Sequence, residues 1–160
     1  MTETTGSPRE VFEHLQQAWL GQASDLTDGL WAEDVIVELP FAPPGTQQRW
    51  QGREEFSAFA AATRAALPVR LEEVRNVVIH ETTDPEVLVV EYELAGTVTT
   101  TGHHASAPFI GVLRARNGQI VHWREYQNTL AMAETLGHLP ALPDGATGHH
   151  SDPMAPAAGG

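Results

Sequence analysis

At 160 residues with a hydrophobic fraction of 41%, the chain falls in the range of one domain able to bury a real core, and no apolar run approaches the roughly 20 residues that span a bilayer. A formal net charge of -12, with no lysine and no cysteine, excludes disulfides, thiolate nucleophiles, Cys-based zinc sites and lysine Schiff bases, and it opposes contact with a phosphate backbone. No signal peptide is evident, so the expected setting is the cytoplasm, with neither nucleic acid nor a membrane as partner.

Residues 1 to 7 read as a short disordered lead-in, with Ser7 as N-cap and Pro8 at the first helical position. From Pro8 to Leu20 the apolar residues Val11, Phe12, Leu15, Ala18 and Trp19 repeat every three or four positions, which predicts an amphipathic helix ending at Gly21. Ser24 or Asp25 then caps a short second helix carrying Leu26, Leu30 and Trp31. A strand is expected from Val35 to Leu39, broken by the rigid apolar loop Pro40-Phe41-Ala42-Pro43-Pro44-Gly45. Gly52 to Leu67 predicts a third helix with Phe56, Phe59, Ala60, Thr63 and Leu67 on one side and Pro68 as its stop.

Four strands follow, at Arg70 to His80, Glu86 to Val98, Ala107 to Arg116 and Gln119 to Asn128, the last pair joined at Asn117-Gly118 and the run paired antiparallel. Helices first and strands afterwards is the order of an α+β domain. A short closing helix spans Thr129 to Gly137, and the Pro-, Gly- and Ala-rich stretch from 140 to 160 reads as a flexible tail, leaving 8 to 139 as a single domain.

Several segments carry a resemblance. Trp31-Ala32-Glu33-Asp34-Val35, Gly52-Arg53-Glu54 and Asn117-Gly118-Gln119-Ile120-Val121-His122-Trp123 resemble the helix-to-strand junction, third-helix start and final hairpin of the ketosteroid-isomerase, SnoaL-like and nuclear transport factor 2-like superfamily. Glu81-Thr82-Thr83-Asp84-Pro85 and Arg124-Glu125-Tyr126-Gln127-Asn128, followed by Leu136-Gly137, are similar to the phenazine-biosynthesis A/B subgroup within it. The resemblance implies a cone-shaped curved antiparallel sheet wrapped around N-terminal helices and enclosing one pocket, and a homodimer formed through the sheet, with Val89, Tyr92 and Ile110 as candidate contacts. Ketosteroid isomerases would place their general base, oxyanion tyrosine and protonated aspartate at Leu39, near Leu15 and near Gly111, so that apparatus is missing. The phenazine proteins' acid-base glutamate corresponds to Glu125, whereas their third-helix histidine corresponds to Phe59.

The residues themselves point the same way. Period-two alternation puts Val121, Trp123, Glu125 and Gln127 on one face of the final strand, and a carboxyl on the apolar face would have a raised pKa suited to general acid-base work. The competing reading is a surface glutamate paired with Arg124 or Arg114. His80 is a second catalytic candidate, because a strand histidine can titrate near neutrality, with a structurally satisfied histidine as the alternative. Trp19, Phe41, Phe56, Phe59, Thr63 and Trp123 are the candidate walls for a small apolar or aromatic ligand, with core packing as the alternative for each aromatic.

The sequence holds no HExxH, GxSxG or GxGxxG motif, so no metal, serine-hydrolase chemistry or dinucleotide cofactor is expected. Two functional readings of the pocket remain, beside that of an assembly protein that dimerises through the outer face of the sheet. One is a cofactor-independent isomerase, cyclase or condensing enzyme of secondary metabolism, working by general acid-base catalysis on a small aromatic or polyketide-like metabolite. The other is a non-catalytic binding protein using the same pocket.

Overall fold

In the computed structural model, residues 6–21 and 29–135 are described. Most of the expected second helix, the start of the lead-in and the Pro-rich tail lie outside these residues. Helix α1 (Pro8–Trp19) starts on a reciprocal cap: the Ser7 N–H donates to Glu10 Oε2 at 2.8 Å, and the Glu10 N–H donates to Ser7 Oγ at 3.3 Å. Its stripe of Val11, Phe12, Leu15 and Ala18 is buried, and Gly21 at φ 76 turns the chain away as only glycine does without strain.

The remaining elements are β1 (Trp31–Glu38), β2 (Arg49–Gln51), α2 (Arg53–Ala66), β3 (Val69–Glu81), β4 (Val87–Val98), β5 (His104–Arg116), β6 (Gln119–Gln127) and α3 (Thr129–Thr135). Trp31 therefore opens a strand rather than closing the preceding helix. β2 has no counterpart in the sequence reading, because three residues are too few to show a period; it is anchored by Trp50, which is buried. Leu67 adopts an extended conformation before Pro68, and α2 stops there.

The strands form one curved sheet in the order β2-β1-β6-β5-β4-β3. Consecutive strands pair antiparallel, and the Asn117-Gly118 turn has positive φ at both residues (52 and 73), the geometry that matches the twist of a two-residue hairpin. The departure from the expected antiparallel pairing is β1, which runs parallel to β6. Four strands separate the two in sequence, so no tight turn dictates their relative direction. Irregular register between Leu71 and Glu73 and between Arg75 and Val78 bends β3 around the helices. Asn76 takes φ 54 at the second bulge and donates to Glu93 Oε2 at 2.7 Å.

At one end the sheet closes on α1. Phe12 and Leu15 join Val35, Leu113 and Ile120 in one cluster, each at most 1% exposed. Burying such a side chain is worth roughly 1.5–3 kcal/mol. Nothing of the kind happens under α2, which has no fully buried residue although its apolar stripe faces inward. That stripe looks onto a void. Among the described residues no helix is long and apolar enough to cross a membrane.

Candidate active site

Between α2 and the sheet lies a cavity of about 820 Å³, ample for a molecule of two or three fused rings. Phe56, Phe59, Ala60, Thr63 and Leu67 line it from α2, at the three- and four-residue spacing that places them on one side of a helix. α1 contributes Trp19, and β6 contributes Trp123, Glu125 and Gln127. The alternation on β6 thus directs Glu125 inward, and Trp19, Phe56, Phe59, Thr63 and Trp123 from the sequence reading converge on the same space.

Glu125 is half-buried, and the surface it keeps faces the cavity. Its Oε2 accepts a hydrogen bond from the Tyr92 hydroxyl. Oε1 has no protein partner among the described residues, and no buried side-chain oxygen is left without one, so Oε1 opens onto the cavity. Removal from water pushes the carboxyl up from 4.5 to about 7, against the opposing pull of the Tyr92 hydrogen bond. Tyr92 itself is 2% exposed. Burial first, and then the Glu125 charge and hydrogen bond, hold its hydroxyl well above the ordinary value, so it stays protonated and acts as the donor.

The sheet register explains how residues two strands apart come to touch. Val90, Gly111 and Glu125 form one cross-strand row, and Tyr92, Phe109 and Gln127 form the next. The Tyr92 ring stacks on Phe109 at 5.5 Å and 9° and lies 4.9 Å from Trp19. Gly111, between Val90 and Glu125, provides the space above β5: a Cβ there would sit 2.2 Å from Cη2 of Trp123. Where ketosteroid isomerases would carry an aspartate, an indole therefore fills the available volume. Leu39 lines the cavity as an apolar group, and Leu15 is buried in the core.

Three sequence assignments are corrected. His80 lies on the outer face of β3, half its side chain exposed, with Nε2 2.6 Å from Glu91 Oε2; its neighbour Ile79 is the one that packs inward. Phe41 is 59% exposed and packs edge-on against Tyr126 at 5.2 Å, outside the cavity. Tyr92 belongs to the site and not to the outer face, whereas Ile110 is exposed there. Alternation of Leu88, Val90, Tyr92 and Leu94 against Glu91 and Glu93 carried the signal for Tyr92, but Val89 on the polar side obscured it.

Arg124 and Arg114 do not pair with Glu125. Arg124 bonds Glu38, together with His122, and Arg114 bonds Asp84 and Glu86. Among the described residues no group of three or more His, Cys, Asp or Glu side chains could hold a metal ion. The polar groups on the cavity wall are one proton-exchanging carboxyl, held in place from behind by Tyr92, the amide of Gln127, the hydroxyls of Thr63 and Ser106, and the guanidinium groups of Arg64 and Arg70.

The family model of the SnoaL-like domain matches residues 11–123. An uncharacterized PhzA/B-like protein of Pseudomonas aeruginosa is 35% identical over 112 residues, covering 70% of this chain and 77% of its own length. Among solved structures, a Bacillus subtilis protein described provisionally as an isomerase superposes with a TM-score of 0.73 at 24% identity, covering 82% of this chain and 93% of its own. A Pseudomonas putida protein described provisionally as a polyketide cyclase gives 0.66 at 18% identity, covering 81% and 97%. Fold, family model and a PhzA/B-like relative agree, and the chain belongs to the SnoaL-like family.

Proposed function

We propose that this protein is a cofactor-independent proton-transfer enzyme, an isomerase, cyclase or condensing enzyme acting on a small aromatic or polyketide-like metabolite in the cytoplasm. The observation that carries this reading is Glu125, a lone carboxyl opening onto an apolar cavity with a pKa pushed up to about 7. Both protonation states are then populated at neutral pH, which is the condition for efficient general acid-base catalysis. The carboxylate takes a proton from a carbon beside a carbonyl, and the C–H electron pair passes into an enolate. The carboxylic acid so formed returns that proton to another carbon in an isomerisation. In a cyclisation it protonates the alkoxide left when the enolate carbon attacks a second carbonyl. No oxidant or reductant is consumed in either case. Tyr92 is a positioning residue: its bond to Oε2 leaves Oε1 to meet the substrate.

Deuterium uptake by 2-tetralone in D2O, followed by proton NMR, tests this without the natural substrate. The expected result is exchange faster than in buffer with wild-type protein and at the buffer rate with Glu125→Gln. Equal acceleration by both proteins would overturn the assignment.

One observation favours the alternative, a binding protein that returns its ligand unchanged. Phe59, standing where the phenazine proteins have a histidine, stacks on Trp50 at 4.0 Å, so that position supplies no acid-base group. The outer face of the sheet, where Val78 and Ile110 are 47% and 43% exposed, is the surface proposed for a homodimer. Sedimentation as a monomer at micromolar concentration would contradict that assembly.

A further inference from the structure

We propose that Arg64 anchors an anionic group at the cavity wall, so that the substrate class is an organic monoanion with a flat apolar body, its carboxylate on Arg64 and its reacting carbonyl near Glu125. This rests on the cavity being the substrate site. Arg64 lies four residues after Ala60 on the inward stripe of α2 and lines the cavity. The chain has 9 basic against 21 acidic residues, and the other arginines are all engaged by carboxylates or backbone carbonyls. Arg64 alone has no hydrogen bond or ion pair among the described residues.

The contrast with Arg70 sharpens the point. Arg70 also lines the cavity, but its Nε and Nη2 both bond Glu72 Oε1, at 3.1 and 2.7 Å, so its charge is already answered. Position in the last turn of α2 would favour a cation through the helix dipole wherever on that turn it stood; facing the cavity is the additional feature. Arg64 comes from the helical wall of the cavity and Glu125 from its sheet wall, on β6. A ligand lying between helix and sheet can meet a planar, two-pronged cation from the first and a proton-exchanging carboxyl from the second. Guanidinium groups bind carboxylates in this bidentate manner.

The test uses an isosteric pair, 2-naphthoate and neutral 2-naphthamide, titrated at pH 6 against tryptophan fluorescence and checked by calorimetry. Wild-type protein is expected to bind naphthoate more tightly than naphthamide, and added salt should weaken only the naphthoate. Arg64→Gln should lower naphthoate affinity roughly tenfold or more, the effect of losing a charge-assisted pair, and leave naphthamide unchanged. Arg64→Lys should restore part of the loss. Equal affinity of wild-type protein for both probes, or an Arg64→Gln variant that weakens both alike, would overturn the proposal. Glu125→Gln separates the two readings: it returns tetralone exchange to the buffer rate, while the preference for naphthoate over naphthamide that Arg64→Gln removes persists. Binding of neither probe would overturn the cavity as a site for flat bicyclic molecules, and the anion anchor with it.

Discussion

The two faces of one sheet treat carboxylates in opposite ways. Against the outer face Glu86, in the turn before β4, and Glu93, on β4, are held at about 2, the first chiefly by Arg116 and then Arg114 and the second chiefly by Arg75 with Ser106 and Asn76. Glu38 is likewise lowered, by its hydrogen bond from His122 and then by Arg124. On the inner face Glu125 has no cation, only a tyrosine, and is raised to about 7. Arg124 and Glu125 are consecutive residues separated by the thickness of the sheet. Burial by itself raises a carboxyl, and a guanidinium within hydrogen-bond reach reverses that; the alternation of the strand decides which effect each residue meets.

The strongest way to break this contrast is Glu125→Gln, expected to lower turnover about 10²- to 10⁴-fold, the usual contribution of a positioned acid-base group. The same variant should reshape the pH dependence of stability, measured as urea midpoints across pH. A carboxyl at about 7 folded and 4.5 unfolded holds its proton in the native state alone between those values, so stability falls as pH rises through that window, by up to roughly 3 kcal/mol. Glutamine should abolish that limb. The limb below pH 4.5 should survive, because Glu86 and Glu93 stabilise the fold above their unfolded value and lose this as pH falls toward about 2.

Gly111→Ala should cost about 1–3 kcal/mol, since its Cβ would overlap the Trp123 ring and force the indole toward the cavity. Calorimetric melting checks the loss, and weaker 2-naphthamide binding checks the direction of movement. Tyr92→Phe removes the one hydrogen bond that lowers the Glu125 pKa. The pH profile of tetralone exchange should move upward by about one unit, the size of a modest charged hydrogen bond. At the small end, His80→Gln is expected to change stability by no more than about 0.5 kcal/mol, because its contact with Glu91 is exposed. Exchange rates should stay at the wild-type level.

How far this arrangement is legible in the sequence depends on distance along the chain. The Ser7 cap, the stripe of α1, the inward stripe of α2 and the Asn117-Gly118 turn are local patterns, and each stands in the structure where its period places it. The inward face of Glu125 follows from alternation in the same way. Tyr92 does not, because its role depends on the register of β4 and β5 and on Gly111 leaving room between them, which are pairings across many residues. The parallel docking of β1 on β6 is invisible for the same reason. The apolar loop around Phe41 suggests a cavity wall. Turn bonds from Leu39 to Gln48 and from Ala42 to Leu39 fold that loop outward, however, onto Tyr126.

The central claim is that one strand holds a carboxylate-lowering face and a carboxyl-raising one, with Glu125 on the latter. The most direct measurement is a titration of the Glu125 side chain by carbon-13 NMR in protein labelled at glutamate, with Glu125→Gln to assign the resonance. A midpoint at about 7, moving upward in Tyr92→Phe, is the predicted result. A midpoint near 4.5, unaffected by Tyr92→Phe, would contradict both the desolvated carboxyl and the proton-transfer role that depends on it.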